Sequence, residues 1–360
     1  MSEARAATHH GFALIAVDHR VLAAMATAPR PSLRRLFPGD DPVMPRIGPG
    51  DVLSVAVYDS GVGQLFAPPS TEEATYGTAH VTLPNATVSG AGTIAVPFAG
   101  MVRVGGLTPM EADAAIERRL GGRTVKPQIL VSVVADKTNV VTVTGAIHAP
   151  GRYAISPASE TLLQMIALAG GPTAPQGDIM LELTRHGRRA SVRLSALSRD
   201  PAGDLHALPG DYLNLTLAPP SVLIYGAVPK PGALPLDHGA LTLAEALAHA
   251  GGPRDWQADS RGVLLFRYEY PSVVAAIPKD RFLAPPPPPA GRMVPVIYKI
   301  DLKTAAGIFA ATRFRLRDQD LIFVPTAPMV DWEKLLDLFR LTTSPVTTGI
   351  VQGVEINRGF

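Results

Sequence analysis

The sequence contains no cysteine, few aromatic residues and little charge. Without cysteine, the chain of 360 residues cannot form a disulfide, a thiolate metal site, a cysteine nucleophile or a thioether lipid anchor. Charged residues make up 18% of the chain and the net charge is +2, so no global field attracts nucleic acid as a partner. No run of about 18 consecutive apolar residues occurs, which excludes a conventional apolar transmembrane helix.

Sequence motifs of enzymes are missing as well. The segment Gly61–Gly63 lacks the third glycine of a dinucleotide fingerprint, and no phosphate-binding loop, Gly-x-Ser-x-Gly elbow or His-Glu-x-x-His pattern occurs. The nine histidines are scattered, and acidic pairs such as Glu72 and Glu73 are adjacent, so their side chains point apart on a helix or strand. The sequence therefore predicts no enzyme, no cofactor and no metal site.

Glycine and proline are abundant instead, with 33 and 35 residues. This composition disfavours long helical bundles and favours short strands separated by many turns. The hydrophobic fraction of 46% is that of a globular chain, and the length allows two or three domains. We therefore predict an α+β fold class built from small domains.

An internal repeat organises the second half of the chain. The segment Val141–Gly151 recurs as Val222–Gly232, with a shared Gly-Ala-x-x-x-Pro-Gly pattern. The segment Thr161–Pro172 recurs as Thr242–Pro253, with a shared Ala-Gly-Gly-Pro ending. Both pairs are offset by 81 residues, which indicates a tandem duplication.

Each repeat unit is predicted to be a small α+β domain. In the first unit, the β-branched run Val140–Thr144 predicts a strand, and Thr161 with Gln164 matches a helix capping box. The second unit is longer because of a Pro-rich insertion near 278–295, which contains five consecutive prolines. We interpret the insertion as a surface loop or spacer, with a recognition motif for a proline-binding partner as the alternative.

A further α+β domain precedes the repeats. The segment Ile47–Tyr58 is a turn feeding an alternating strand, and a helix is predicted from the Thr108 cap to Gly121. The turn and helix-stop residues of the three domains, which we predict to be structural, are Gly48, Pro49, Gly50, Asp51, Gly145, Pro150, Gly151, Gly170, Gly171, Gly226, Pro231, Gly232, Gly251 and Gly252.

Residues 1–45 are predicted to be a leader, extended or disordered. The apolar run Phe12–Val17 is interrupted by Asp18, whereas a signal peptide needs an unbroken run of about 7–15 residues. The Ala-x-Ala triplets beginning at Ala24 and Ala26 nevertheless resemble cleavage sites. A signal peptide and a replaced or mis-assigned start are both open interpretations.

Residues 329–354 show helical periodicity, with apolar residues on one arc and charged residues outside it. Such a helix would be about 39 Å long, enough to cross a bilayer, although Pro345 allows a kink or an earlier end. The apolar stripe either packs on the protein's own domain or, in a ring of copies, faces lipid while the charged face lines a pore. The stripe residues are Trp332, Leu335, Leu336, Phe339, Val346, Ile350 and Val354, and the pore-facing candidates are Glu333, Lys334, Asp337 and Arg340.

Residues 46–354 resemble the outer-membrane polysaccharide export (OPX) proteins. The resemblance rests on Ile47–Leu53, Val96–Gly100, Gly106–Ala112 and Val125–Ile129, together with the repeated motifs. It implies a polysaccharide export sequence domain, two β-grasp-like SLBB domains and a C-terminal amphipathic membrane helix with its tail. The corresponding boundaries are 46–139, 140–220, 221–328 and 329–360.

The resemblance also implies a function. Its members form ring-shaped homo-oligomers, octameric in the best-known cases, that enclose a channel for extracellular or capsular polysaccharide across the periplasm and outer membrane. The implied partners are other copies of the chain, the polysaccharide, outer-membrane lipid and an inner-membrane polysaccharide co-polymerase. Well-known members carry an acylated cysteine, which this chain lacks. The alternative is a periplasmic adaptor that binds a soluble ligand through its SLBB domains.

Four residues are open to a lumen or interface role as well as to core or ordinary surface roles. They are Arg152, Tyr153, Tyr212 and Tyr225.

Overall fold

The structure is a computed structural model with three compact α+β domains, which confirms the predicted fold class. We call these domains the leading domain, the first repeat and the second repeat. The structure describes residues 12–28, 32–38, 41–59, 79–121, 128–236, 241–253, 262–284, 286, 293–325 and 357–358.

The N-terminal segment forms strand β1 (Ala13–Ala16) and helices α1 (His19–Thr27) and α2 (Leu33–Leu36). The expectation of an extended or disordered leader is therefore wrong for these residues. The apolar run that is too short for a signal peptide has the length of a buried strand. Asp18, which interrupts the run, is the N-cap of α1, and its carboxylate accepts the backbone N–H groups of Arg20 and Val21 at 2.9 and 3.0 Å.

The leading domain contains a four-stranded sheet, a hairpin and one helix. The sheet is formed by β2 (Val52–Asp59), β3 (Ala79–Thr82), β4 (Ala86–Thr87) and β7 (Gln128–Ala135), and the hairpin by β5 (Thr93–Val96) and β6 (Gly100–Arg103). Strand β2 is central, with β3 and β4 on one side and β7 on the other. Helix α3 (Pro109–Leu120) packs beside β7 and begins at the predicted Thr108 cap, which forms a capping box with Glu111.

The first repeat is a sheet with helices on one face. Its strands are β8 (Val140–Gly145), β9 (Gly151–Ala154), β10 (Ile179–Arg185), β11 (Arg188–Arg193) and β12 (Tyr212–Leu217), and its helices are α4 (Leu162–Leu168) and α5 (Leu194–Leu197). The order is β11-β10-β12-β8-β9, with β12 parallel to β8 and the other pairs antiparallel. Helix α2 of the N-terminal segment adds Leu33 and Phe37, just after it, to the core of this domain.

The second repeat has the same core topology and is enlarged. Its strands are β13 (Ser221–Gly226), β14 (Gly232–Pro235), β15 (Val263–Glu269), β16 (Phe282–Ala284), β17 (Val294–Ile300) and β18 (Leu321–Val324), and its helices are α6 (Leu243–His249), α7 (Pro271–Ala276) and α8 (Ala305–Arg313). The sheet order is β14-β13-β18-β15-β17-β1-β16. A short strand β19 (Asn357–Arg358) pairs with β11 of the first repeat.

Strand β1 is therefore an interior strand of the second repeat, more than 200 residues away from its neighbours in sequence. It runs parallel to β17, from Ala13 opposite Val296 to Ala16 opposite Lys299, and antiparallel to β16. The Pro-rich insertion is not only a spacer, because its flanks form β16 and the beginning of β17. Its five consecutive prolines lie outside the described residues except Pro286.

Two predicted structural glycines occupy equivalent crowded sites at the ends of β8 and β13. Gly145 and Gly226 have φ of +90° and +93°, a backbone region that favours glycine. An added Cβ would lie 2.0 Å from the carbonyl oxygen of Leu215 in one case and of Val324 in the other. The motif glycines therefore let each strand approach its parallel neighbour.

Candidate functional site

The predicted stripe and pore-facing residues of the C-terminal helix lie outside the described residues. Their roles stay predictions. Within the part of the chain that the structure describes, no helix combines the length and hydropathy needed to cross a bilayer.

All three domains contain the same hydrogen-bonded turn. A buried aspartate, Asp51, Asp211 or Asp320, lies immediately before or at the start of a strand and closes the preceding turn. Each carboxylate accepts the backbone N–H of the residue three positions earlier. These donors are Gly48 at 2.7 Å, Leu208 at 2.9 Å and Arg317 at 2.7 Å.

In both repeats the same aspartate holds a buried arginine that sequence reasoning missed. Arg185 in β10 binds Asp211, and Arg267 in β15 binds Asp320, each through Nε at 2.8 Å and Nη2 at 2.6 Å. The two arginines are 82 residues apart, one more than the repeat offset of 81, so a comparison of the two repeats that allows one inserted residue could have found them. In the leading domain, Asp51 accepts instead from neutral donors of the linker to the first repeat, chiefly Thr138.

The second repeat extends its pair into a larger buried network. Glu269 lies 3.5 Å from Arg267 Nη1, accepts the Tyr298 hydroxyl at 3.1 Å and binds Arg317 Nη1 at 2.9 Å. Burial, followed by the charge of Glu269, raises the pKa of Tyr298 well above its ordinary value. Burial alone would lower the pKa of Arg267, but the charges of Asp320 and Glu269 outweigh it and raise the pKa, so this guanidinium stays charged.

These charged clusters lie inside the folded repeats. Their carboxylates are buried and engaged by arginine or backbone donors, so no open face is left for a substrate. Among the described residues, no group of three or more His, Asp or Glu side chains could hold a metal ion.

A further ion pair joins the two repeats. Arg193 of β11 donates from Nη2 to Asp318, in the turn before β18, at 2.9 Å. Asp318 also accepts the backbone N–H of Ser221 at 2.9 Å, and Arg193 donates to the carbonyls of Gly177 and Ala218. Burial lowers the pKa of Arg193, against the opposing effect of Asp318. The contact spans the junction between the repeats and restrains their relative orientation.

The four residues considered for a lumen or interface role divide between different environments. Arg152 and Tyr212 are exposed on one face of the first repeat, where the Thr144 hydroxyl donates to Tyr212 Oη at 2.9 Å. Tyr153 is half-buried, and its hydroxyl donates to the Ala149 carbonyl. Tyr225 packs on an apolar cluster of the second repeat. Only the first two lie together on an open surface.

Helix α3 covers the outer edge of strand β7. Asp113 Oδ1 accepts the backbone N–H of Val131 at 2.6 Å, and Glu117 Oε1 accepts that of Ile129 at 3.3 Å. Both N–H groups point away from β2 and would otherwise be open to another strand. Burial, with the nearby charge of Glu117, raises the pKa of Asp113, although the hydrogen bond from Val131 opposes this effect.

The Asp113→Asn variant is expected to be at least as stable as the wild type at pH 7, and Asp113→Ala to lose about 1 kcal/mol. The raised pKa means that ionising Asp113 costs folding stability as pH rises above its unfolded-state pKa, and Asn avoids this cost while still accepting the Val131 N–H. Urea unfolding at pH 7 and about pH 3 measures the difference in unfolding free energy between Asp113→Asn and the wild type. This difference should be smaller at the acidic pH, where Asp113 is protonated. Equal destabilisation by Asn and Ala at pH 7 would contradict this account.

Comparison with known families covers all three domains. The model for polysaccharide biosynthesis/export proteins matches residues 41–134, and two SLBB domain models match residues 140–192 and 221–324. The capsule polysaccharide export protein BexD of Haemophilus influenzae is 31% identical over 83% of this chain and 75% of its own length. The chain belongs to the polysaccharide biosynthesis/export family.

Other members of this family align over similar lengths. The capsule polysaccharide export outer membrane protein CtrA of Neisseria meningitidis is 30% identical, over 83% of this chain and 75% of its own length. The EPS I polysaccharide export outer membrane protein EpsA of Ralstonia nicotianae is 29% identical, over 84% and 76%. The predicted family resemblance is confirmed, and the first and second repeats are SLBB domains. The second SLBB match does not include β1, which completes the sheet of that domain.

Proposed function

We propose that this chain exports extracellular or capsular polysaccharide through the outer membrane, as one subunit of a homo-oligomeric ring that encloses a channel. The observation that carries the proposal is the alignment with named export proteins over 83% of the chain, through the leading domain and both SLBB repeats. Most of the chain would lie in the periplasm. The channel itself would have no catalytic role.

The described domains suit the wall of a conduit. Each domain closes a turn with a buried aspartate, and an ion pair bridges the two repeats. The N-terminal segment contributes to both repeats in turn, through β1 in the second and α2 in the first. Such connections stiffen a wall whose shape must persist while a polymer passes.

The C-terminal helix would supply the membrane crossing. One crossing places the residues after the helix on the far side of the membrane, so the pairing of β19 with β11 would have to be absent in the inserted ring. Its charged face cannot lie in hydrocarbon, so a single copy cannot span the bilayer alone. In a ring, the stripe containing Trp332 and Phe339 would face lipid, and charged residues such as Glu333 and Arg340 would line water. The ring would receive its polymer from an inner-membrane co-polymerase partner.

Deletion of the gene is expected to remove polysaccharide from the cell surface, and full-length protein is expected to restore it. A chain truncated after residue 328 should express and fold its three domains but fail to restore export or to remain with membranes. Native mass spectrometry of detergent-solubilised protein should give one ring stoichiometry. A monomer in plain buffer, unaffected by the truncation, would favour the periplasmic adaptor instead.

A further inference from the structure

The two repeats carry opposite chemistry at equivalent positions of their sheets. One face of each sheet is the core beneath the helices, and the other is the outer face. In the first repeat, one row across the outer face has polar residues from five adjacent strands, and the equivalent row of the second repeat is apolar. The polar row is Arg189, Thr184, Tyr212, Thr142 and Arg152, and its apolar counterpart is Ile297, Phe266, Leu321, Leu223 and Ala233.

The two outer faces also differ in exposure. Phe266, Ile297 and Leu321 of the second repeat are 2%, 3% and 5% exposed, so the β17-β15-β18 part of that row is covered, whereas Ala233 at the β14 end is exposed. Tyr212 of the first repeat is 41% exposed, and the arginines at both ends of its row are exposed. The middle of the row is therefore buried in the second repeat, whereas in the first repeat Tyr212 at the same position is open to solvent.

The open face matches a polyhydroxyl chain. Five strands at a spacing of about 4.8 Å make a surface about 19 Å wide. Thr144 donates to Tyr212 Oη at 2.9 Å and lies 3.3 Å from Asn214 Oδ1, so hydroxyl and amide groups already exchange hydrogen bonds there. Hydroxyl groups both donate and accept, as sugars do, and the tyrosine ring offers an apolar surface to a sugar ring.

The two ends of the polar row carry positive charge and suit an anionic ligand. The middle of the row lacks the apolar residues that a protein partner would need. Arg152 and Arg189 stand at opposite ends of this five-strand row, and guanidinium groups bind carboxylate or phosphate. Asn357 of β19 lies opposite Arg189 on the next strand, and Arg152 Nη2 also donates to the Lys137 carbonyl at 3.0 Å. Glu182 is the acidic residue among the paired outer-face positions, so the face is net basic. Protein interfaces centre on large buried apolar anchors, which the row lacks apart from Tyr212.

We propose that the outer face of the first SLBB repeat is the surface along which an acidic polysaccharide passes. The contact uses weak, interchangeable hydrogen bonds along the threonine and asparagine side chains, with Arg152 and Arg189 holding anionic groups at the two ends of the five-residue row. Such a surface guides the polymer without retaining it. The proposal rests on the proposed export function and assigns it a specific surface.

Affinity electrophoresis of the detergent-solubilised full chain tests the contact. In native gels containing alginate, the wild type should be retarded more than in gels containing the same mass of neutral dextran. The double variant Arg152→Gln/Arg189→Gln should lower the apparent alginate affinity by about three- to tenfold, because each exposed charge contact contributes modestly. Arg199→Gln, at an exposed arginine of the same domain outside this face, is the control for the two single variants Arg152→Gln and Arg189→Gln, because each of the three removes one positive charge. Equal retardation in both gels, or no effect of the double variant, overturns the proposal.

An export assay separates this inference from the proposed function. The variant Thr142→Leu/Thr184→Phe/Tyr212→Leu installs the residues of the second repeat, which the same sheet architecture accommodates. Surface polysaccharide should fall several-fold with unchanged protein level and ring stoichiometry. If the deletion strain loses export but this variant exports normally, the surface is wrong and the function stands. If the deletion strain exports normally, the function itself fails.

Discussion

Removal of residues 1–28 is expected to unfold the second repeat while the leading domain stays folded. Strand β1 lies between β17 and β16, and Leu14 and Ile15 are fully buried there. Each such side chain contributes about 1.5–3 kcal/mol through burial, and α1 buries Val21 and Met25 as well. The summed loss approaches the whole stability of about 5–15 kcal/mol of a typical domain. Hydrogen exchange should show lost protection in β15, β17 and β18 and retained protection in β2 and β7.

Three controls make this result specific. Deletion of residues 1–11 should leave the protection of β17 unchanged, because the described strand begins at Ala13. A synthetic peptide of residues 12–28 added to the truncated chain should restore protection, since the slot beside β17 is then filled again. The single variant Ile15→Asp should reproduce the loss, because it buries an unpaired carboxylate. Full protection of β17 in the truncated chain would show that β1 is dispensable.

The same geometry bears on processing of the chain. Cleavage after either Ala-x-Ala triplet, at Ala26 or Ala28, would remove β1 and α1 together. Ion pairs also hold this segment, with Arg20 bound to Asp280 at 2.8 Å and Asp18 to Arg281 at 3.2 Å. A signal peptide that ended at either triplet would therefore take β1 out of the second repeat, and we expect the exported protein to keep residues 12–28. N-terminal sequencing of the exported protein should find these residues retained.

Local features of the fold could be predicted because their physical causes lie within a few residues. The capping boxes of α3, α4 and α6 each join a threonine to an acid or amide three positions later, and all three form. The duplication could be predicted because Gly145 and Gly226 each face a backbone carbonyl that tolerates no side chain. Patterns of this kind are visible in the sequence because only a few residue types satisfy each of them.

Long-range features could not be predicted in the same way. Nothing in the sequence near Ala13 indicates that β1 pairs with β17, where Ala13 lies opposite Val296. The pairing of these two parallel strands depends on tertiary packing and not on local sequence. Arg185 and Asp211 are separated by 26 residues, and a lone arginine in a strand ordinarily predicts an exposed position. The contrast between outer faces was likewise invisible until the strand registers aligned the two rows.

The buried ion pairs of the two repeats are expected to respond unequally to loss of the aspartate. Asp211→Leu leaves the guanidinium of Arg185 buried without its carboxylate, and loss of one partner of such a pair costs about 3–5 kcal/mol. Asp320→Leu should cost less, by about 1–2 kcal/mol, because Glu269 still lies 3.5 Å from Arg267. Each aspartate also accepts one turn N–H, at 2.9 and 2.7 Å, so that contribution cancels in the comparison. A urea titration monitored by hydrogen exchange in β10 and β15 measures the unfolding free energy of each repeat separately.

The double variant Arg185→Met/Asp211→Leu decides between an electrostatic and a packing origin. If the cost of Asp211→Leu comes from a stranded charge, removing the charge as well should recover most of the loss, since apolar replacements of buried pairs are often neutral. The remaining deficit should be about 1–3 kcal/mol, because the His206 carbonyl, which accepts from Arg185 Nη2 at 2.7 Å, and the turn N–H of Leu208 lose their partners. Equal losses in Asp211→Leu and Asp320→Leu would show that Glu269 does not support Arg267. An unchanged loss in the double variant would assign the cost to packing, and the pair would then serve to orient β10 against the turn rather than to neutralise a charge.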